Sequence, residues 1–419
     1  MISYLPRLVD PLIEKLLAEL PALSLVGARA TGKTTTAKRH AATVVRLDSD
    51  AQAAAFRADP DSALRGLAEP VLLDEWQAVP GVLGAVKRSV DDDPRPGRYL
   101  LTGSIRADLD TQTWPGTGRV VRMAINPLTV CEHLGRSTRP LIDRVMAGDD
   151  LLASDSSPDL REYVEIALRG GFPGASINLS DTTRRRWLTG YVDQIITRDA
   201  LNIETGRDPV RLRRYLEAYA LNTAGIVGDK TLHDAAAINR RTALAYDRLL
   251  QNLLVVDEIP SWSSNRLKRL IRSPKRHLLD SSLLVGILGI DSTTVMRDGD
   301  LLGRVLDTFV TAQIRAETTI SEHPTRLYHL RQEQGRHEID LIAELGGQRV
   351  IGIEIKASSS PSAHDARHLA WLRDQIGDRF AAGIVLHTGP GTYPLGQRIT
   401  AAPISTMWAA TARPPTIRT

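Results

Sequence analysis

The 419-residue chain has one cysteine, Cys131. A single thiol rules out an internal disulfide framework and a zinc cluster built from thiolates. Long apolar runs are also missing. The longest, such as 249–256, are broken by polar residues and fall well short of the roughly 18 residues that cross a bilayer. The N-terminus lacks the basic, apolar and small-residue order of a secretory signal. These absences predict a cytoplasmic protein. Neither sign of charge dominates: 53 Lys and Arg stand against 49 Asp and Glu, for a net charge of +4. The pI near 9.2 tilts toward nucleic acid without deciding for it.

What remains is the composition of an ordinary soluble protein, 42% hydrophobic and 24% charged. The length predicts two to three domains. The most informative stretch is Gly27–Thr34, which reads G-x-x-x-x-G-K-T. An apolar segment, 22–26, precedes it, and helix-forming residues follow. That strand, turn and helix order is the setting a P-loop requires. Gly27 and Gly32 are expected to adopt dihedrals that residues with a Cβ avoid. The loop Gly27, Ala28, Arg29, Ala30, Thr31, Gly32, with Lys33, Thr34 and Thr35, then aims its N–H groups at the phosphates of ATP. Lys33 reaches the β and γ phosphates, and the Thr34 hydroxyl ligates Mg2+.

Residues 70–75, Pro-Val-Leu-Leu-Asp-Glu, form an apolar strand ending in two acids. Asp74 is placed to hold Mg2+, and Glu75 to orient or deprotonate the attacking water. Residues 98–104 form another strand, predicted to lie beside the P-loop strand. Thr102 or Ser104 would then approach the γ phosphate or the water. Arg119 has two readings, a surface arginine or a transition-state arginine lent to a neighbouring subunit. Asp10 and Pro11 predict the cap and first position of a helix over 10–20.

Together with Gly118-Arg119 and Asn126-Pro127-Leu128, these motifs resemble one group of prokaryotic AAA-type ATPases, those with a C-terminal DUF4143 region. The similarity continues at Gly170-Gly171-Phe172-Pro173 and at Trp187–Asp199, and so spans nearly the whole chain. It implies an α/β fold, with a P-loop NTPase domain over residues 1–135, a helical and winged-helix segment over 136–265, and a small restriction-endonuclease-like α/β domain over 266–419. Related proteins often form rings, so a homo-oligomer or a protein partner is among the expectations.

Residues 209–259 read as three helices and a strand, with Thr231 capping the second helix. The third helix carries Arg240, Arg241 and Arg248, suited to phosphate or guanine in DNA. Arg266, Lys268, Arg269, Arg272, Lys275 and Arg276 extend a basic surface, or simply a solvated face. Trp187 and Tyr191 read as core rather than as a base-stacking platform.

The strands at 337–343 and 349–356 place Asp340 on one and Glu354 and Lys356 on the next. The last two lie two residues apart and share a face. Asp, hairpin, Glu-x-Lys resembles the PD-(D/E)xK nuclease core. The resemblance implies that Asp340 and Glu354 hold Mg2+ against a scissile phosphate while Lys356 stabilises the nucleophile or the developing charge. Such nucleases place a glutamate on the preceding helix, where this chain offers the shorter Asp307. Cleavage and a dead domain both stay open. His329, His364 and His368 lack metal-ligand spacing and read as surface histidines.

The functional expectation is an ATP-hydrolysing protein acting on DNA. The rival is a nucleotide-switched docking ATPase with a dead nuclease-like domain. A small-molecule kinase is weaker, because no lid or acceptor pocket is recognisable after Ser104.

Overall fold

A computed structural model describes residues 4–103, 117–153, 157–199, 208–265, 269, 273–332 and 335–409. The chain divides into two compact units. One holds the residues up to Pro127 together with Leu250–Leu254, and the other holds Leu128–Leu249 and the residues from Val255 onward. Among the described residues no helix is long and apolar enough to cross a membrane.

In the first unit five strands form a sheet in the order β2 (Thr43–Arg46), β3 (Val71–Asp74), β4 (Tyr99–Gly103), β1 (Ala22–Val26), β5 (Val120–Ala124). Every pairing is parallel. Parallel neighbours need crossover connections. The helices supplying them are α1 (Asp10–Glu19), α2 (Lys33–Ala37), α3 (Asp50–Ala58), α4 (Pro60–Leu64) and α5 (Gly81–Asp92). Covered on both faces, β3 and β4 are buried along their whole length, which explains their unbroken apolar sequences. β4 does lie beside β1, as the motif order predicted. The start of α1 differs from expectation. Val9 is the N-cap residue and makes no side-chain cap. Asp10 is drawn away by other donors, the Tyr4 hydroxyl at 2.9 Å and the Arg7 N–H at 2.8 Å.

The second unit begins with α6 (Val130–His133), α7 (Leu141–Ala147), α8 (Leu160–Arg169), α9 (Pro173–Ser176) and α10 (Asp181–Gln194). Next come α11 (Pro209–Leu221), α12 (Asp229–Ala235) and α13 (Arg240–Asn252). A two-stranded antiparallel ribbon follows, β6 (Val256–Ile259) with β7 (Lys275–Leu278). Helix α12 starts two residues earlier than expected, so Thr231 sits inside its first turn and Gly228 precedes it.

The Gly170-Gly171 pair has a packing role. Gly170 adopts φ +66°, and a Cβ there would lie 2.3 Å from Asp280 Oδ1 and 2.4 Å from Ser282 Cβ. The buried Asp280 accepts hydrogen bonds from the Gly171 N–H at 2.9 Å and the Ser282 N–H at 2.9 Å. Phe172 is fully buried against the half-buried Tyr191 and Trp187, with centroids 4.9 and 5.9 Å away, so these rings cover the core.

Helices α14 (Leu283–Leu288), α15 (Ser292–Arg297) and α16 (Gly299–Thr318) lead into a six-stranded mixed sheet. Its order is β12 (Tyr393–Gly396), β13 (Ile399–Pro403), β11 (Phe380–His387), β10 (Val350–Lys356), β9 (His337–Leu345), β8 (Thr325–Gln332). β8, β9 and β10 form an antiparallel meander, and β10 and β13 flank β11 in parallel. Helix α17 (Arg367–Ile376) buries Leu369 and Leu372 against Ile342, Val350 and Phe380.

The basic run at 266–276 is not the surface the sequence suggested. Arg269 is buried, forms a two-point pair with Glu344 at 2.7 and 2.8 Å, and stacks on Trp262 and Tyr328. Lys275 and Arg276 are also buried in ion pairs. A desolvated cation is tolerated only beside matched acids, which is why these side chains turned inward. Arg266, Lys268 and Arg272 lie outside the described residues, as do Ser104 and the C-terminal tail. His329 is buried rather than exposed, with Nε2 3.1 Å from the Ser273 carbonyl.

Candidate functional site

The loop between β1 and α2 leaves the C-terminal edge of the parallel sheet. Gly32 has φ +91° and Ala30 φ +61°, left-handed conformations that fold the turn back on itself. Gly27 serves a different purpose from the one expected. Its φ is not left-handed, but a Cβ there would lie 2.3 Å from the Ile125 carbonyl oxygen. The first glycine therefore lets the loop pass close to the strand beside it. Thr31 is buried and its hydroxyl donates to the Ala28 carbonyl at 2.9 Å. Arg29, Ala30 and Thr35 are exposed. The Lys33 ammonium also donates to the Ala28 carbonyl, at 2.8 Å, and so lies folded over the loop.

Asp74 ends β3, and β4 separates it from β1. The Asp74 carboxylate bridges the gap: Oδ1 accepts from Thr34 Oγ1 at 2.6 Å and from Thr102 Oγ1 at 2.5 Å. Thr102 thus anchors Asp74, instead of being left free to meet a phosphate. Glu75 takes a left-handed conformation, φ +53°, and its carboxylate accepts from the Gln77 amide. Thr34 and Asp74 are neighbouring hard oxygen donors at one strand edge. That set suits an Mg2+ ion completing its shell with water and phosphate oxygens.

Lys33 is buried, and burial pushes its ammonium down to about 8, partly opposed by the nearby Glu75 and Asp74 carboxylates. Below pH 8 the side chain is charged and fit for a triphosphate. Above it the free protein loses that proton, while bound phosphates would hold it on. Nucleotide affinity is therefore expected to be level below about pH 8 and to fall about tenfold per pH unit above it, with proton uptake on binding. Calorimetry at pH 9 in two buffers of different ionisation enthalpy checks this. Equal apparent enthalpies in both would contradict it.

Arg119 is not brought to this site. It precedes β5, and β5 runs parallel to β1 with Val120 opposite Ala22, so Arg119 lies at the strand edge away from the P-loop. It pairs with Asp91 at 2.8 Å. Sequence reasoning missed Arg7. Its buried guanidinium donates to the Thr31 carbonyl at 2.9 Å and to the Asn126 carbonyl at 2.6 Å, tying the P-loop to the segment after β5. A lone arginine before a helix carries no pattern that would have marked it.

In the second unit, Asp307 of α16, Asp340 of β9, and Glu354 and Lys356 of β10 do converge. Asp340 Oδ2 accepts the Ile355 N–H at 2.9 Å, and Glu354 Oε2 accepts Lys356 Nζ at 2.9 Å. Thr311 Oγ1 donates to Asp307 Oδ1 at 3.1 Å. A fifth residue, Lys275 of β7, was not foreseen as part of this group. Its ammonium pairs with Asp307 Oδ2 and lies 3.3 Å from Asp340 Oδ1. Burial raises Asp307. It would raise Asp340 too, but Lys275 and Lys356 outweigh it and hold that carboxyl below the usual range. Burial, reinforced by the Asp340 charge, pushes Glu354 well up. Among the described residues no group of three or more His, Cys, Asp or Glu is arranged to hold a metal. The metal role expected of Asp340 and Glu354 meets two cations of the chain itself, Lys275 on Asp340 Oδ1 and Lys356 on Glu354 Oε2.

Residues 19–134 match the AAA domain family. Residues 160–294 match a domain of unknown function, DUF8612, and residues 302–407 another, DUF4143. The uncharacterised proteins Rv2008c of Mycobacterium tuberculosis and Mb2031c of Mycobacterium bovis are each 29% identical to this chain over 395 residues, covering 93% of it and 82% of the relative. The Walker-type ATPase paby2304 of Pyrococcus abyssi superposes with a TM-score of 0.41 at 15% identity, over 67% of this chain and 94% of its own. The sheet order, the loop geometry and the family matches agree: this chain joins an AAA-type P-loop domain at residues 19–134 to a DUF4143 region at residues 302–407.

Proposed function

We propose that the chain binds Mg2+–ATP at the turn between β1 and α2 and hydrolyses it. The observation that carries this is the meeting of Lys33, Thr34, Asp74 and Glu75 at one edge of the parallel sheet, with Thr34 and Asp74 joined at 2.6 Å. On nucleotide binding, Lys33 exchanges the Ala28 carbonyl for phosphate oxygens. The loop N–H groups receive the same phosphates. Thr34 and Asp74 would hold Mg2+, which would supply charge neutralisation at the phosphates. Glu75, released from Gln77, orients the attacking water and accepts its proton. Steady-state ATP turnover by the purified chain tests the reading, and an absence of turnover with Mg2+ present would end it.

The downstream action is read as contact with DNA through α13. Arg240, Arg241 and Arg248 are all exposed on that helix, and among the described residues none has an ion-pair partner. Three phosphate contacts would make a fourfold rise in salt weaken binding about 40-fold. Replacing all three arginines with alanine is expected to remove most of that salt dependence, as measured by fluorescence anisotropy with duplex DNA. A docking role on a protein partner is the second reading, favoured by the burial of Arg269, Lys275 and Arg276, which takes three cations off the surface. Salt-insensitive or absent DNA binding would select it.

A further inference from the structure

Two buried acids, Asp307 and Glu354, with the partly buried Asp340 beside them, need compensating positive charge. In this centre both compensating cations belong to the chain. Lys275 is 2% exposed and reaches Asp307 Oδ2, Asp340 Oδ1 and, at 3.4 Å, the Asp340 carbonyl. Lys356 covers Glu354 Oε2. Of the six carboxylate oxygens, five have donors: Lys275 for two, and Thr311, the Ile355 N–H and Lys356 for one each. Only Glu354 Oε1 is buried without a partner. Mg2+ keeps several waters and asks the protein for only one or two carboxylates, so what stands against it here is position and charge: Lys275 already lies between the two aspartates, and Lys356 lies on Glu354.

We propose that Lys275 takes the place of a metal ion in this centre, making Lys275–Asp307–Asp340 an internal ionic lock that is closed to Mg2+. The lock has a second consequence. Lys275 lies in the segment matching DUF8612, while Asp307, Asp340, Glu354 and Lys356 lie in the segment matching DUF4143. The ribbon strand β7 is thereby pinned to α16 and β9 by charge. Removing the lysine alone leaves two adjacent carboxylates without their cation, and a divalent cation from solution then takes its place. The inference does not depend on ATP hydrolysis in the first unit, so the failure of either reading leaves the other standing.

The test is Mn2+ binding to the full chain without nucleotide, followed by electron paramagnetic resonance and calorimetry. Asp74→Asn is included to remove any ion held near the P-loop. Wild type is expected to show no site that Asp340→Asn removes. Lys275→Met is expected to lower the unfolding midpoint, to gain one Mn2+ site and to recover part of its midpoint when Mn2+ is added, all lost again in Lys275→Met/Asp340→Asn. A wild-type Mn2+ site abolished by Asp340→Asn but kept in Asp74→Asn would overturn the proposal. So would a folded Lys275→Met that gains no site. Should Lys275→Met fail to fold, the comparison of wild type with Asp340→Asn decides alone, because that variant keeps the Lys275–Asp307 pair.

Discussion

Glu75→Gln is expected to cut ATP turnover at least about 100-fold while leaving Mg2+–ATP affinity within a few-fold of wild type. Removing a general base costs roughly 100- to 10,000-fold, and glutamine is the same size and still accepts a hydrogen bond. The side chain is half-buried and its carboxylate accepts from Gln77, whereas Asp74 is held by Thr34 and Thr102, so the pair Thr34–Asp74 survives the substitution. Loss of turnover with retained affinity separates a chemical role from a binding one. Equal losses in both would move Glu75 from the chemistry to nucleotide binding. Unchanged turnover would remove it from the mechanism.

The second large effect concerns Gly170. Gly170→Ala places a methyl 2.3 Å from Asp280 Oδ1 and from Ser282 Oγ, at a φ of +66° that side chains avoid. The Asp280 carboxylate would be pushed off its donors while still buried. Strain together with an unsatisfied buried acid is worth about 3–5 kcal/mol, enough to unfold much of the second unit. Gly190→Ala is the control. Gly190 lies within α10 with nothing inside 4 Å of a new Cβ, and alanine there is expected to add about 0.5–1 kcal/mol of stability. Denaturant unfolding of the two variants measures both. A Gly170→Ala protein as stable as wild type would mean that the Asp280 loop is free to move.

The nucleotide site was legible because its chemistry demands particular residue types at close spacing. Lys33 and Thr34 follow Gly32 directly, and Asp74 and Glu75 end an unmistakable apolar strand. The partners of these residues were not legible. That Thr102 serves Asp74 depends on β4 lying between β1 and β3, a fact of sheet order. The purpose of Gly27 depends on the carbonyl of Ile125, almost a hundred residues away in sequence. The second centre shows the same limit more sharply. Glu354 and Lys356 were placed on one face by strand alternation, and Asp340 joined them through the resemblance to the PD-(D/E)xK core. Lys275 was placed in a basic run, because nothing local to it indicates acids 32 and 65 residues further on. Charge runs are read as surface by default. Here three of six cations are buried in ion pairs with distant acids, and a sequence pattern has no means of pairing them.

The most direct test of the central claim is a calorimetric titration of Mg2+–ATP into wild type and Lys33→Ala at pH 7.5. One saturable site per chain in wild type, lost or weakened at least about 100-fold in Lys33→Ala, is the result expected of a buried ammonium gripping a triphosphate. Heat from wild type that is unchanged by the substitution, or no saturable heat from wild type at all, would contradict it.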